Sequence, residues 1–132
     1  MSKPDAAMMA VAERLAQFLE SGAQTLPPDL FAGSVTIIEN FPPYLFTDPA
    51  AWAKAMRSHL AGQSALQHRF EDVHDFSLTE DKAYFALKTV WTGLYKGKPF
   101  SETGGWSLVL AKHPEGWRLL AYGWAVTNCS GG

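Results

Sequence analysis

The chain has 132 residues, of which 47% are hydrophobic, 13% aromatic and 18% charged, and its formal net charge is −2. This length fits one domain over residues 1–132, and the low charge with many aromatic residues excludes a disordered chain. Because basic residues are not in excess, no nucleic-acid partner is expected, and one cysteine excludes both an internal disulfide and a cysteine-based zinc site.

Apolar periodicity and helix-capping signals predict four elements in the first sixty residues. In chain order they are a helix capped at Ser2 and ended by Gly22, a short helical turn over residues 27–32, a strand over residues 35–41 and a second helix from Asp48 to about Leu60.

The rest of the chain predicts four long strands, over residues 66–78, 83–95, 100–112 and 117–128. Their connections are short and rich in Gly, Pro and charged residues, which predicts antiparallel hairpins. The order of elements therefore predicts an α+β fold, with helices segregated on one face of a strongly curved antiparallel sheet. A curved sheet closed by a helix makes a cone with a hollow, which is a natural site for a ligand.

Membrane and export signals are weak. No apolar run approaches the roughly 18 residues of a membrane-spanning helix, so no membrane partner is expected. The apolar stretch over residues 6–12 is interrupted by Glu13 and Arg14, which favours a helix over a signal peptide. A cytoplasmic location is expected, and a periplasmic one stays open because a protein with one cysteine tolerates either redox state.

Three local patterns along the predicted sheet point to one family. They are an apolar strand over residues 35–41 with an acidic residue near its end, the stretch Val90-Trp91-Thr92-Gly93, and a final hairpin over residues 106–119. Together with the order of elements, they resemble the nuclear transport factor 2-like superfamily, which includes the ketosteroid isomerases and the SnoaL-like polyketide cyclases. The resemblance implies a cone-shaped, cystatin-like roll with a hydrophobic pocket and a homodimer formed through the sheet.

The resemblance also implies places for site residues. The general base of the isomerases falls on or beside Glu39, their oxyanion-hole tyrosine near Leu15, and their protonated aspartate near Ser107. Ser107, Tyr122 and Trp124 would then face the hollow. A leucine donates no hydrogen bond, and losing one oxyanion donor costs roughly 2.7–4 kcal/mol, so a steroid isomerase is not expected.

Glu39 and His68 are the candidate catalytic residues. Glu39 ends an apolar strand, and in a hydrophobic cleft its pKa would rise towards the range of a general base; the alternative is a strand-end residue in solvent. Strict alternation places His68 on one face with Asp72 and His74, a row that could relay protons. A bulge in the strand, or a strand end that extends into solvent, would break that row. No metal site is expected, because no third ligand has a motif spacing.

Side chains predicted to face the hollow are candidate ligand-binding residues, although core packing is the alternative for several of them. They are Trp52, Met56, Phe70, Phe85, Thr89, Ser107, Tyr122 and Trp124. In the final hairpin neither face is polar, so one face can line the hollow and the other needs a cover. A second copy of the chain is the simplest cover, which predicts a homodimer.

These patterns predict a binding domain for an apolar, ring-containing small molecule. Catalysis would be acid–base chemistry of the isomerase, cyclase or dehydratase type, without a cofactor, with Glu39 as the base and His68, Ser107 and Tyr122 as polar helpers. The alternative is a non-catalytic ligand carrier or a dimeric protein-interaction module.

Overall fold

A computed structural model describes residues 3–130, in which two helices pack on one six-stranded sheet. The helices are α1 (Ala6–Glu20) and α2 (Pro49–His59), and the strands are β1 (Phe31–Ile38), β2 (Leu45–Phe46), β3 (Gln63–Leu78), β4 (Lys82–Tyr95), β5 (Lys98–His113) and β6 (Gly116–Ser130). The strands lie in the order β2-β1-β6-β5-β4-β3.

Both helices begin at an aspartate that caps the first turn. The Asp5 carboxylate accepts a hydrogen bond from the amide of Met8 at 2.9 Å, and the predicted cap Ser2 lies outside the described residues. Asp48 caps α2 with Pro49 in the first turn, as the sequence predicts. Helix α1 packs across β3 and β6, so it covers the concave side of the sheet.

The sheet is mixed rather than wholly antiparallel. Strands β3 to β6 form the predicted antiparallel meander, but β1 pairs with β6 in the parallel sense. The short strand β2, which the sequence does not predict, pairs antiparallel with β1. The last strand of the meander runs in the same direction as β1, and sequence patterns do not show which strands become neighbours.

The predicted short helix over residues 27–32 is not formed. This segment is a turn that runs directly into β1 at Phe31. The amide of Leu119 in β6 donates to the carbonyl of Leu30 at 2.8 Å, so this carbonyl belongs to the sheet rather than to a helical turn.

A bulge at Thr127 lies in β6 where it passes β5. The register shifts between Thr103 and Gly104, and a Cβ at position 104 would lie 2.0 Å from the carbonyl oxygen of Ala125. Only glycine allows this close approach of two backbones. The fold is thus a curved, unclosed α+β sheet with its core between the helices and the concave face, as predicted.

Large rings fill the core. Trp52 and Trp106 are fully buried, and Tyr122 contacts both, at ring-centroid distances of 6.1 and 5.2 Å. None of the described helices combines the length and the apolar character that crossing a membrane requires.

Candidate functional site

A pocket of about 230 Å³ opens on the concave side of the sheet. Its walls come from both helices, the segment after β1, the α2–β3 connection and strands β3 to β6. The lining residues are Leu19, Glu39, Asn40, Met56, His59, Leu60, Gln63, Leu66, Trp91, Phe100, Glu102, Tyr122 and Trp124.

Glu39 is the most buried charged residue of this lining. It follows β1 directly, and its backbone amide donates to the carbonyl of Tyr44 at 2.9 Å, which continues the β1–β2 pairing. The period of two along the strand buries Ile37 and Glu39 and leaves Ile38 55% exposed between them. Glu39 is only 4% exposed. The strand geometry therefore aims a carboxyl group into the core side of the sheet.

One aromatic donor holds the Glu39 carboxyl, and a second aromatic side chain lies beside it. The indole Nε1 of Trp52 donates to Oε2 of Glu39 at 2.8 Å, and the hydroxyl of Tyr122 interacts with the same group. Burial raises the pKa of Glu39 to about 7, although the hydrogen bonds from Trp52 and Tyr122 favour the charged form. Burial and the adjacent Glu39 charge together raise the pKa of Tyr122 well above its ordinary value. Near neutral pH, Glu39 is therefore divided between its two protonation states, and Tyr122 remains a neutral donor.

Two further titratable groups line the pocket. Burial raises the pKa of Glu102 on β5, and burial lowers the pKa of His59 at the end of α2. The ring of His59 stacks on Phe41, with centroids 4.1 Å apart. No lysine or arginine belongs to the lining. When His59 is unprotonated, the lining therefore carries no positive charge, and its net charge is zero or negative.

Sequence reasoning placed several side chains in this region. Glu39, Met56, Tyr122 and Trp124 line the pocket. Trp52 is fully buried behind the lining, where its indole holds Glu39.

Three other predicted ligand-binding residues belong to the core and do not line the pocket. Phe85 and Thr89 are fully buried on β4, and the Thr89 hydroxyl donates to the carbonyl of Leu87 at 3.2 Å. Phe70 is partly buried and packs edge-on against Trp106 at 5.3 Å. Their side chains follow the predicted inward alternation, but they are packed in the protein interior.

Ser107 lies on the opposite face of the sheet from Glu39. Its neighbours Trp106 and Leu108 are fully buried, so alternation turns Ser107 outward. It lines a second hollow of about 310 Å³, whose other lining residues are Thr36, Ile38, Gly105, Val109, Ala121, Tyr122, Gly123, Trp124 and Ala125. The position that the resemblance implies for Ser107 is therefore not observed.

His68 bridges β3 to helix α1 instead of lining the pocket. Its Nδ1 lies 2.7 Å from a Glu20 carboxylate oxygen, its Nε2 lies 2.5 Å from Glu13, and its backbone amide also donates to Glu20. Burial lowers the pKa of His68, but the hydrogen bonds and charges of Glu20 and Glu13 outweigh burial and raise it overall. The imidazole is separated from the pocket by Trp91, whose ring centroid is 5.8 Å away.

The inward row of His68, Asp72 and His74 does not form. The β3–β4 register shifts between Phe70 and Asp72, and both Asp72 and His74 are exposed. A bulge exchanges the two faces of a strand, which breaks the alternation used for the prediction. Within residues 3–130, no three His, Cys, Asp or Glu side chains are placed to hold a metal ion.

Sequence reasoning missed Glu102, His59 and several apolar lining residues. Alternation backwards from Trp106 places Glu102 and Phe100 on the concave face, and His59 follows Met56 by three positions on α2. These signals were present in the sequence, but nothing local showed that the pocket reaches this end of the sheet.

Comparison with known proteins identifies the fold. No family model matches the chain, and no curated protein matches it in sequence. Among solved structures, the Kfla4162 protein from Kribbella flavida is similar with a TM-score of 0.80, 16% identity and coverage of 95% of this chain and 91% of that chain. A nuclear transport factor 2-like superfamily protein from Salmonella enterica serovar Typhimurium gives a TM-score of 0.76, 18% identity and coverage of 90% and 87%.

An enzyme is also among the similar structures. The hexachlorocyclohexane dehydrochlorinase LinA-type3 from Novosphingobium barchaimii has a TM-score of 0.77 and 8% identity, with coverage of 96% of this chain and 88% of the dehydrochlorinase. At these identities the likeness shows the fold, which is the nuclear transport factor 2-like cone predicted from the resemblance.

Proposed function

We propose that this chain is an acid–base enzyme of the isomerase, cyclase or dehydratase type that needs no cofactor and acts on an apolar, ring-containing small molecule. Glu39 is the proton-transfer residue. The observation that carries the proposal is a carboxyl group buried in a pocket rich in aromatic side chains, held at one oxygen by Trp52, with a pKa of about 7. A general base is most effective when its pKa lies near the working pH.

The proposed step moves one proton and leaves the enzyme unchanged. The Glu39 carboxylate takes a proton from a carbon next to a carbonyl group of the substrate, and the resulting carboxylic acid returns that proton to a second atom of the same molecule. Because the pKa of Glu39 is about 7, near neutral pH the carboxylate is present to take the proton and the acid form is present to return it. The indole of Trp52 holds the carboxyl in place through both halves of the step.

The size of the pocket supports a small substrate. Its volume of about 230 Å³ lies below the roughly 300–1,000 Å³ of sites for drug-sized ligands. The rings of Trp91, Phe100 and Trp124 supply an apolar wall. The dehydrochlorinase with the same fold is named for a reaction of a cyclic compound, which agrees with this substrate class.

His68 is a second candidate for proton transfer. A histidine oriented by a carboxylate is a common arrangement for a general base, and Glu20 holds Nδ1 in this way. Glu13 occupies the other ring nitrogen, however, and His68 does not line the pocket. Glu39 therefore transfers the proton in this proposal. His68 instead joins β3 to α1 through Glu20 and Glu13.

The test uses β-tetralone, an apolar two-ring ketone with acidic protons next to its carbonyl group. Its deuterium exchange in heavy water is followed by NMR with the wild type, Glu39→Gln, His68→Gln and the exposed control Glu80→Gln. We expect Glu39→Gln to slow exchange by about 10²–10⁴-fold while still binding the ketone. The exchange rate of the wild type should rise with pH to a plateau, with a midpoint near the Glu39 pKa of about 7.

His68→Gln and Glu80→Gln should retain exchange. Loss of exchange in His68→Gln together with full activity in Glu39→Gln would overturn the assignment in favour of His68. Saturable binding of β-tetralone to the wild type without any exchange would indicate the alternative function, a ligand carrier.

A further inference from the structure

The pocket has an uneven distribution of charge. Glu39 and Glu102 are its acidic groups, while lysine and arginine are absent from its lining. His59 carries a pKa lowered by burial, so above its titration it adds no positive charge. Such a lining disfavours an anionic ligand and favours a neutral or cationic one.

Glu102 is a half-buried carboxylate of the pocket lining that has no observed partner within residues 3–130. It lies on β5 between Trp91 of β4 and Cys129 of β6. Its carboxyl makes no hydrogen bond or ion pair with any side chain within residues 3–130. On the surface, by contrast, Glu71 bridges Arg69 and Lys88. A half-buried carboxylate without a partner has lost hydration and gained no compensating contact, and a cation bound beside it would restore one.

Aromatic rings share the lining with this carboxyl, and Trp91 is its cross-strand neighbour. Trp91 and Tyr122 are buried, and Phe100 and Trp124 are partly exposed to the pocket. The face of an aromatic ring attracts a cation, and tryptophan does so most strongly. Lys96 and Lys112, the lysines found over rings in the described part of the chain, lie over Tyr95 and Trp117 outside the pocket. The rings of the lining thus remain available to a ligand.

We propose that the pocket binds a monocationic amine carried on an apolar, ring-containing body, with the ammonium group beside Glu102 and the body against Trp91 and Trp124. The inference rests on the proposed function in using the same pocket, and it narrows the substrate class from any apolar ring compound to a ring compound with one positive charge. Glu102 selects the ligand, and Glu39 remains the proton-transfer residue.

The proposal predicts an order of affinity among ligands of one shape. Its test uses β-tetralone, 2-aminotetralin and tetralin-2-carboxylate, which share a two-ring body and are neutral, cationic and anionic. Calorimetric titration near pH 8 should show the amine binding roughly ten-fold or more tightly than the ketone, since hydrogen bonds to charged groups are among the stronger ones. The carboxylate should bind weakest of the three.

The matched variants are Glu102→Gln and Glu80→Gln. Glu102→Gln keeps the shape of the side chain and removes its charge, so the ratio of the affinity for the amine to that for the ketone should fall to near one. Glu80→Gln removes an exposed carboxylate elsewhere and should retain the preference for the amine. Thermal unfolding of each variant verifies that it folds.

An amine that binds the wild type no more tightly than the ketone would overturn the proposal, as would a preference that survives in Glu102→Gln. These outcomes are separate from a failure of the proposed function. A charge preference that depends on Glu102, without any proton exchange, would leave the inference standing and remove Glu39 as a base. Exchange that depends on Glu39, without a charge preference, would leave Glu39 as the base and remove the proposed selection of a cation by Glu102.

Discussion

Burial and two neighbouring side chains determine the ionisation of Glu39. Burial removes water from the carboxyl and raises its pKa to about 7, whereas donation from Trp52 and Tyr122 stabilises the charged form. The loss of hydration is the larger effect, so the folded protein holds this proton more tightly than the unfolded chain, in which the usual pKa is 4.5. The raised pKa of Glu39 therefore lowers the stability of the fold at high pH, and the same raised pKa suits the residue to proton transfer.

The free energy of unfolding should fall as pH rises between about 4.5 and 7, because over this range the unfolded chain loses the Glu39 proton and the native state retains it. The size of the effect is about 3 kcal/mol, since each pKa unit corresponds to about 1.4 kcal/mol. Glu39→Gln cannot titrate, so its stability relative to the wild type should increase by this amount from low to high pH.

Urea unfolding of both chains across this pH range measures the effect. His68, whose raised pKa also makes stability fall with rising pH, is present in both chains and cancels in the difference. A difference between the chains that does not change with pH would contradict the raised pKa of Glu39.

At the scale of elements, bulges decide which side chains meet. The bulge opposite Gly104 lies in β6, so alternation in β5 stays intact from Trp106 to Leu110 and the predicted inward face is observed there. In β3 three register shifts interrupt alternation, which is why Asp72 and His74 point to solvent although the pattern predicts otherwise. Among the glycines of the described residues, Gly104 is the one where an added Cβ would meet the closest atom, the backbone oxygen of Ala125.

Gly104→Ala should destabilise the fold by about 3 kcal/mol, at the upper end of the range for overpacking, because its Cβ would lie 2.0 Å from the backbone oxygen of Ala125. Gly33→Ala is the matched control: a Cβ at Gly33 in β1 meets nothing within 4 Å, and its effect should stay within about 0.5 kcal/mol. Denaturant unfolding at one pH compares the two. Equal stability of the two variants would show that β5 and β6 can separate at this bulge without cost.

At the scale of the whole molecule, the outer face of the sheet carries an open hollow. It carries Ser107, Val109 and Ala121, and Ile38 beside them is 55% exposed. No charged side chain lines this hollow of about 310 Å³. We propose that a second copy of the chain covers it, as the two apolar faces of the final hairpin predict.

Sedimentation should therefore show a dimer at micromolar concentration. Val109→Lys places a charge in the centre of the outer face and should yield a folded monomer. Val73→Lys places the same charge on β3, at a position 36% exposed and outside this hollow, and should remain a dimer. A wild type that sediments only as a monomer would refute the dimer.

Local patterns were sufficient to predict the helices, the long strands and the cone-shaped fold. Helical periodicity, the Asp48-Pro49 cap and short charged turns depend on residues within a few positions of one another, and the structure confirms the elements they predict. The inward direction of Glu39 also follows from the period of two in β1. The short helix over residues 27–32 was predicted wrongly because the sheet uses the Leu30 carbonyl.

The sequence by itself thus determined the class of the fold and the residue types that supply its chemistry. Only the tertiary structure decided the parallel pairing of β1 with β6, the contact of Trp52 and Tyr122 with Glu39, and the partners of His68 on α1. The physical reason is distance along the chain, since Glu20 and Glu13 precede His68 by 48 and 55 residues. Contacts of that range depend on strand order and on the position of each bulge, which no local pattern specifies.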